Sequence, residues 1–447
     1  MSNFKDNPYR NLIYGADIKI PLWDKSSCIG INFDNAATTP PFKSVIEEVI
    51  KFSPYYSSIH RGDGYKSQFS TSMYENSRLI VKNFLDDHDN LMDVIYVKNC
   101  TEAINKLAGI LSSKKKGSIV LSTFMEHHSN DLPWRKDFTV KYIDIDHQGC
   151  LDIDDLKNKL EMYEGKISLV AITGASNVTG SKTAIYTIAN LAHSYGAKIL
   201  VDGAQLIPHS KFTIGTGLPL GPIDFVSFSG HKMYAPFGCG VLLGPKAFFN
   251  EYDPDHVGGG TISFVSHDKI IWAPSPDKDE AGSPNVIGSI ALSSSINELN
   301  NIGMNNIDEY ERYLTIYTTR NLLTMDNVIL YGDYNNFKDK VSIIPFNIYG
   351  MHHTLVAKIL SYEFGIAVRS GCFCAQPYMQ RLLKIPSSMI EKFTLLPKSR
   401  QPGMIRVSFG LYNTIEEINK FLYAINKIIK NRDYYTNKYK GDLDSLI

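Results

Sequence analysis

The residues most able to do chemistry here follow short apolar, β-rich runs. Ser229-Gly230-His231-Lys232 comes after Phe225-Val226-Ser227-Phe228, and Asp202 comes after Ile199-Leu200-Val201. A lysine and an aspartate at two successive strand ends can converge. The lysine can form a Schiff base, and the carboxylate can keep a pyridine nitrogen protonated. Thr101 and Glu102 open a helical segment whose backbone amides suit a phosphate, with Ser229 and His231 as further donors. His127 or His128 can stack on a flat ring. Together these are the four requirements of pyridoxal phosphate (PLP) chemistry. Singly, each has a plainer reading: Lys232 as a surface lysine, Asp202 as a turn residue, Thr101-Glu102 as a helix start, the histidines as structural groups.

The elements that position these residues alternate. From about residue 90 to 245, runs such as Val94 to Val97, Ser118 to Leu121 and Leu169 to Ile172 alternate with longer amphipathic segments. Ala184 to Tyr195 carries helical spacing and stops at Gly196. This pattern predicts an α/β domain with a mainly parallel mixed sheet. Ligands bind beyond the carboxyl ends of such strands. Polar groups leave five of them: Asn99 to Glu102, Glu126 to His128, Ser176-Asn177, Asp202 to Gln205 and Ser229 to Lys232. After about residue 295 a long helical stretch, short strands at Val341 to Ile344 and Ile405 to Phe409, and an amphipathic helix at Ile415 to Lys430 predict a smaller α+β domain. The expected division is an N-terminal segment 1–30, a large domain 31–295, a small domain 296–432 and a surface tail 433–447.

Bulk composition narrows the function. The 447 residues are 43% hydrophobic and 21% charged, an ordinary globular profile. Lys plus Arg equals Asp plus Glu at 46 each, so charge gives no reason to expect nucleic acid or an anionic membrane as partner. Met1 to Arg10 lacks an apolar signal core, and no later stretch reaches the roughly 20 apolar residues of a span. Six scattered cysteines do not form a disulfide framework, which points to a cytoplasmic setting. Cys372 and Cys374 supply at most half of a tetrahedral zinc site, so no metal is expected.

The motifs resemble those of class V aminotransferase-fold proteins, and most of all the cysteine desulfurase and selenocysteine lyase branch associated with iron–sulfur assembly. The matching segments include Phe33 to Pro40, His60-Arg61-Gly62, Thr101 to Asn105, Glu126 to Asn130, Ser176 to Val178, Val201 to Gln205, Ser229 to Lys232, Ala281 to Asn285, Cys374 to Pro377 and Leu411 to Thr414. They span roughly residues 30 to 430 in the family's order. The resemblance implies a PLP-dependent transferase fold of type I, with Lys232 in the Schiff base and Asp202 on the pyridine nitrogen. It implies His127 stacking on the ring, Gln205 bonding the phenolic oxygen, and Thr101, Ser229 and His231 on the phosphate. Ser283 would reach the phosphate from a partner subunit, which implies a homodimer. Asn177 and Arg406 would hold the substrate carboxylate, with His60 a further substrate contact.

The reaction turns on Cys374. The resemblance implies that its thiolate takes sulfur from L-cysteine, giving L-alanine and a persulfide for an acceptor protein. The plainer reading of a lone cysteine is a small buried hydrophobe. The alternatives on the same scaffold are a selenocysteine lyase, an epimerase or another lyase; a different class is an inactive binding scaffold. Arg369 stands five residues before Cys374 and can bias its ionisation. Two departures stand out. Cys372 and Phe373 replace a pair of histidines common before the nucleophile, and extra chain is expected around Met389 to Gln401. Cys372 is therefore an auxiliary candidate, for resolving or protecting the persulfide.

Overall fold

The fold was obtained as a computed structural model, which describes residues 7–215, 222–397 and 400–439. Seven strands make the central sheet: β1 (Met92–Val97), β2 (Ile119–Thr123), β3 (Thr139–Ile143), β4 (Ile167–Thr173), β5 (Lys198–Asp202), β6 (Phe225–Ser229) and β7 (Gly240–Pro245). Their order is β1-β7-β6-β5-β4-β2-β3. The pairs β6–β5, β5–β4, β4–β2 and β2–β3 are parallel, while β7 runs antiparallel to both β6 and β1. The expected mainly parallel mixed sheet is present.

Both sheet faces are covered, which explains why its strands read as continuous apolar runs. Side chains alternate between two cores. Val94, Leu121, Val170, Ile199 and Val226 enter one. Ile95, Val120, Leu169, Leu200 and Phe225 enter the other, against the helix Cys100–Lys115. The helix Ile185–Ser194 covers the first face and gives way to Gly196 at φ +72°, the left-handed stop its sequence predicts.

The small domain holds β8 (Val328–Leu330), β9 (Ile343–Ile348), β10 (Arg369–Gly371) and β11 (Met404–Ser408), antiparallel in the order β8-β9-β11-β10. The terminal amphipathic helix spans Ile415–Lys430 and starts in a capping box of Thr414 and Glu417.

Three observations bear on the chain around the expected boundaries. Ile31 and Phe33 bury in the small domain's core, and Ile31–Asn32 pairs in parallel with Ile366–Ala367. Phe33 packs there against Phe409 and Phe421, while Ile13 and Phe42 on either side bury in the large core. Position 295 lies inside the helix Val286–Ile302, which stops at Gly303, φ +88°, and Met304 and Ile307 beyond it still bury in the large core. The segment from 433 does not begin as a surface tail: Arg432–Lys438 is helical, and Tyr435 and Tyr439 are buried in the small domain. Residues 440–447 of that tail and residues 1–6 of the N-terminal segment lie outside the described residues, as do 398–399 of the extra chain. Within that stretch Ser387–Thr394 forms a helix. No helix among the described residues is long and apolar enough to cross a membrane.

Candidate active site

All five predicted strand exits open on one cavity of about 230 Å³, closed from the small domain by Arg369, Phe373, Cys374 and Arg406. The parallel register sets Asp202 beside Ser227, so the end of β5 stands next to the last turn of β6 before Lys232. Lys232 ends the short 3-10 turn Gly230–Lys232. Burial, first of all, lowers its pKa, opposed by the charge of Asp202. Burial raises that of Asp202.

One oxygen of Asp202 is fixed twice. Its Oδ1 accepts from the Ala204 N–H at 3.0 Å and from the Cys100 thiol at 3.2 Å. Ser227 Oγ lies 3.2 Å from the same sulfur, and burial pushes the Cys100 pKa well up, so the thiol stays a proton donor to Asp202. Nothing local to Cys100 signals this role, because an apolar-looking cysteine at a helix start is silent about its partners.

The phosphate-type corner is the N-terminus of the helix Cys100–Lys115. Asn99 caps it, accepting from Glu102 N–H at 3.0 Å, and Cys100 N–H donates to Ser229 Oγ at 2.8 Å. Thr101 Oγ1 and Ser129 Oγ lie 2.6 Å apart, and Ser129 Oγ is 2.9 Å from His127 Nδ1. Ser129 thus joins two predicted site residues without having been singled out itself. His231 lies beside them, its Nδ1 3.2 Å from Thr38 Oγ1. Burial lowers the pKa of His127 to about 3 and that of His231 to about 4, so both rings are neutral.

Arg406 is buried at the other end. Its Nη2 donates to Asp34 Oδ1 at 3.0 Å and its Nη1 to the Asn177 carbonyl at 2.9 Å. Its Nε has no partner among the described residues, and neither does Gln205 Oε1, whose amide nitrogen donates to the Ala36 carbonyl at 2.6 Å. Unpaired buried polar atoms around a cavity mark groups that a bound molecule satisfies. Asp34 also attracts Arg369, at 3.6 Å, so two guanidiniums share one carboxylate.

Cys374 is exposed at the cavity mouth, in a turn where Phe373 and Cys374 both have left-handed backbone, φ +54° and +55°. The Phe373 ring is buried beneath Arg406, 5.0 Å from its guanidinium carbon. Cys372 is half-buried against an apolar cluster and does not line the cavity. Two further predicted residues also stand apart. His60 bonds Glu75, Nε2 to Oε1 at 2.9 Å, and Ser283 is exposed in a separate cleft with Glu280 and Asn285. Among the described residues no group of three or more His, Cys, Asp or Glu could hold a metal ion.

The sequence profile of the aminotransferase class V family matches residues 31–421. The chain belongs to that family. Within this class V family, a probable cysteine desulfurase of Synechocystis is 33% identical over 90% of this chain and 91% of its own. A cysteine desulfurase of Escherichia coli is 32% identical over 88% and 92%. Among solved structures, an apo cysteine desulfurase from Thermococcus onnurineus superposes with a TM-score of 0.80 at 33% identity, covering 90% of this chain and 95% of that one. The S-sulfonic acid form of the E. coli cysteine desulfurase CsdA gives 0.76 at 28%, with coverage of 90% and 95%.

Proposed function

We propose that this class V protein is a PLP-dependent cysteine desulfurase, converting L-cysteine to L-alanine and leaving a persulfide on Cys374. The carrying observation is that Cys374 and Arg406 join Lys232 and Asp202 around a single cavity. The cofactor fits the residues present. Lys232 would hold its aldehyde carbon and Asp202 its pyridine nitrogen. The amide of Gln205 would meet its phenolic oxygen, and Thr101, Ser229 and His231 its phosphate, at a helix N-terminus suited to an anion. The neutral ring of His127 is the flat partner. When bound, PLP supplies an electron sink that eases proton loss from the substrate and loosens bonds at its β-carbon.

The chain's own residues do the rest. Lys232 Nζ, held toward its neutral form by burial, is the base that moves the substrate's α-proton. Arg406, unpaired at Nε, takes the substrate carboxylate, with Asn177 beside it. The Cys374 thiolate forms the new S–S bond as the substrate's C–S bond breaks, so sulfur leaves as enzyme persulfide and carbon as alanine. Cys374 both lines the cavity and is exposed, which supports delivery of its sulfur to an acceptor from outside. We assign Ser283 to the site of a second copy, since it lies outside its own cavity, and place the homodimer in the cytoplasm, passing sulfur to an acceptor for iron–sulfur assembly. His60, tied to Glu75, would serve substrate from the periphery.

Adding L-cysteine and a reductant to the holoenzyme tests this reading, with alanine and sulfide as readouts. Cys374→Ala should keep the visible cofactor band, on the order of 410–430 nm, and lose alanine release, while Cys372→Ala keeps both. Lys232→Ala should lose the band. Turnover of another amino acid with no alanine from cysteine would exclude desulfuration.

A further inference from the structure

The turn that presents Cys374 is strained and held from outside. Ala375 N–H donates to the Cys372 carbonyl at 3.0 Å, closing a tight turn over Phe373 and Cys374. Two consecutive non-glycine residues in the left-handed region persist only where the surroundings over-determine them. One residue supplies two of the outside ties. His128 donates its backbone N–H to the Cys374 carbonyl at 2.7 Å, and its ring Nε2 lies 3.2 Å from Gln376 N.

The second tie fixes the state of the ring. A backbone N–H can only donate, so Nε2 must offer its lone pair, and a neutral ring must carry its proton on Nδ1. A protonated ring has no acceptor and would face the Gln376 N–H with another N–H. Burial lowers the pKa of His128; Asp131 opposes this and Arg135 adds to it. Asp131 is itself engaged by Arg135 at 2.6 Å and by Tyr142 at 2.7 Å. Beside the ring stands His127, itself neutral, its centroid 6.3 Å away. Arg381, on the helix Gln376–Leu382 that follows, stacks on Phe124 and pairs with Asp144 at 3.5 Å.

We propose that His128 is a positioning residue for Cys374: its neutral ring, bonded to Gln376, holds the strained turn in place, and protonation of that ring releases it. The inference rests on the desulfurase reading only for its effect on turnover. The bond to Gln376 can be observed without any reaction.

Hydrogen exchange of the holoenzyme, followed by mass spectrometry over the peptide containing residues 372–379, gives the direct test. In His128→Ala the Gln376 amide should exchange about tenfold faster. In His128→Gln, whose carbonyl can accept the same bond, it should stay near wild type. On acidification, after correction for intrinsic rates, wild type should approach His128→Ala while His128→Gln does not. For alanine release, kcat should fall about tenfold in His128→Ala with KM for cysteine and the cofactor band unchanged. Unchanged exchange in His128→Ala, or exchange in His128→Gln as fast as in His128→Ala, overturns the proposal. A wild type that releases no alanine would sink the functional reading while the exchange comparison still decides the role of His128.

Discussion

The side-chain amide of Asn177 donates to the Phe373 carbonyl at 2.6 Å, while the backbone carbonyl of Asn177 accepts from Arg406 at 2.9 Å. One residue therefore ties the carboxylate-binding arginine to the turn that carries the nucleophile. Losing the amide leaves the Phe373 carbonyl without its partner and frees one side of a strained turn. Asn177→Ala should lower kcat for alanine release by about 10- to 100-fold, with a smaller rise in KM. Steady-state kinetics on cysteine, with the visible band as control for cofactor loading, check this; a change confined to KM would mean that Asn177 serves binding alone.

Acid should weaken the fold through His127. Unfolded, its ring takes a proton near pH 6.5; folded, burial delays that to about pH 3. Between those values the unfolded chain binds more protons, so stability is full above pH 6.5 and is lost as pH falls. The loss is about 1.4 kcal/mol per pH unit within that window. His231, lowered to about 4, acts with the same sign. The Tm of cofactor-free protein should drop from pH 6.5 to 5, and His127→Phe should drop less. Parallel profiles for the two proteins would contradict the assignment.

Gly240 determines how closely the helix that caps the cavity approaches the sheet. A Cβ there would lie 2.6 Å from Asn99 Cα and 2.8 Å from its nitrogen, backbone atoms that cannot swing aside. Gly240→Ala should destabilise by roughly 1–3 kcal/mol and displace the Asn99 to Thr101 amides from the anion corner. Urea unfolding measures the first effect. The fraction of visible band kept after dialysis measures the second.

Local sequence was enough to place the strand ends. Lys232, Asp202, Thr101, His127 and Asn177 each follow an apolar run, and a buried parallel strand must end in polar residues where the chain leaves the core. The limits of the helix Ile415–Lys430 were equally legible, since apolar period and capping box are both local. The membership of Ile31 and Phe33 in the small domain was not, because their partners lie more than three hundred residues away.

The sequence by itself thus determined the fold class, the lysine and its strand-end neighbours. Only the tertiary structure decided how Cys374 is presented. The left-handed turn at Phe373-Cys374, the ties from His128 and Asn177, and the hold of Cys100 on Asp202 join segments distant in the chain. Local propensity opposes two left-handed non-glycine residues in a row. Contacts made from elsewhere in the fold are what can hold them.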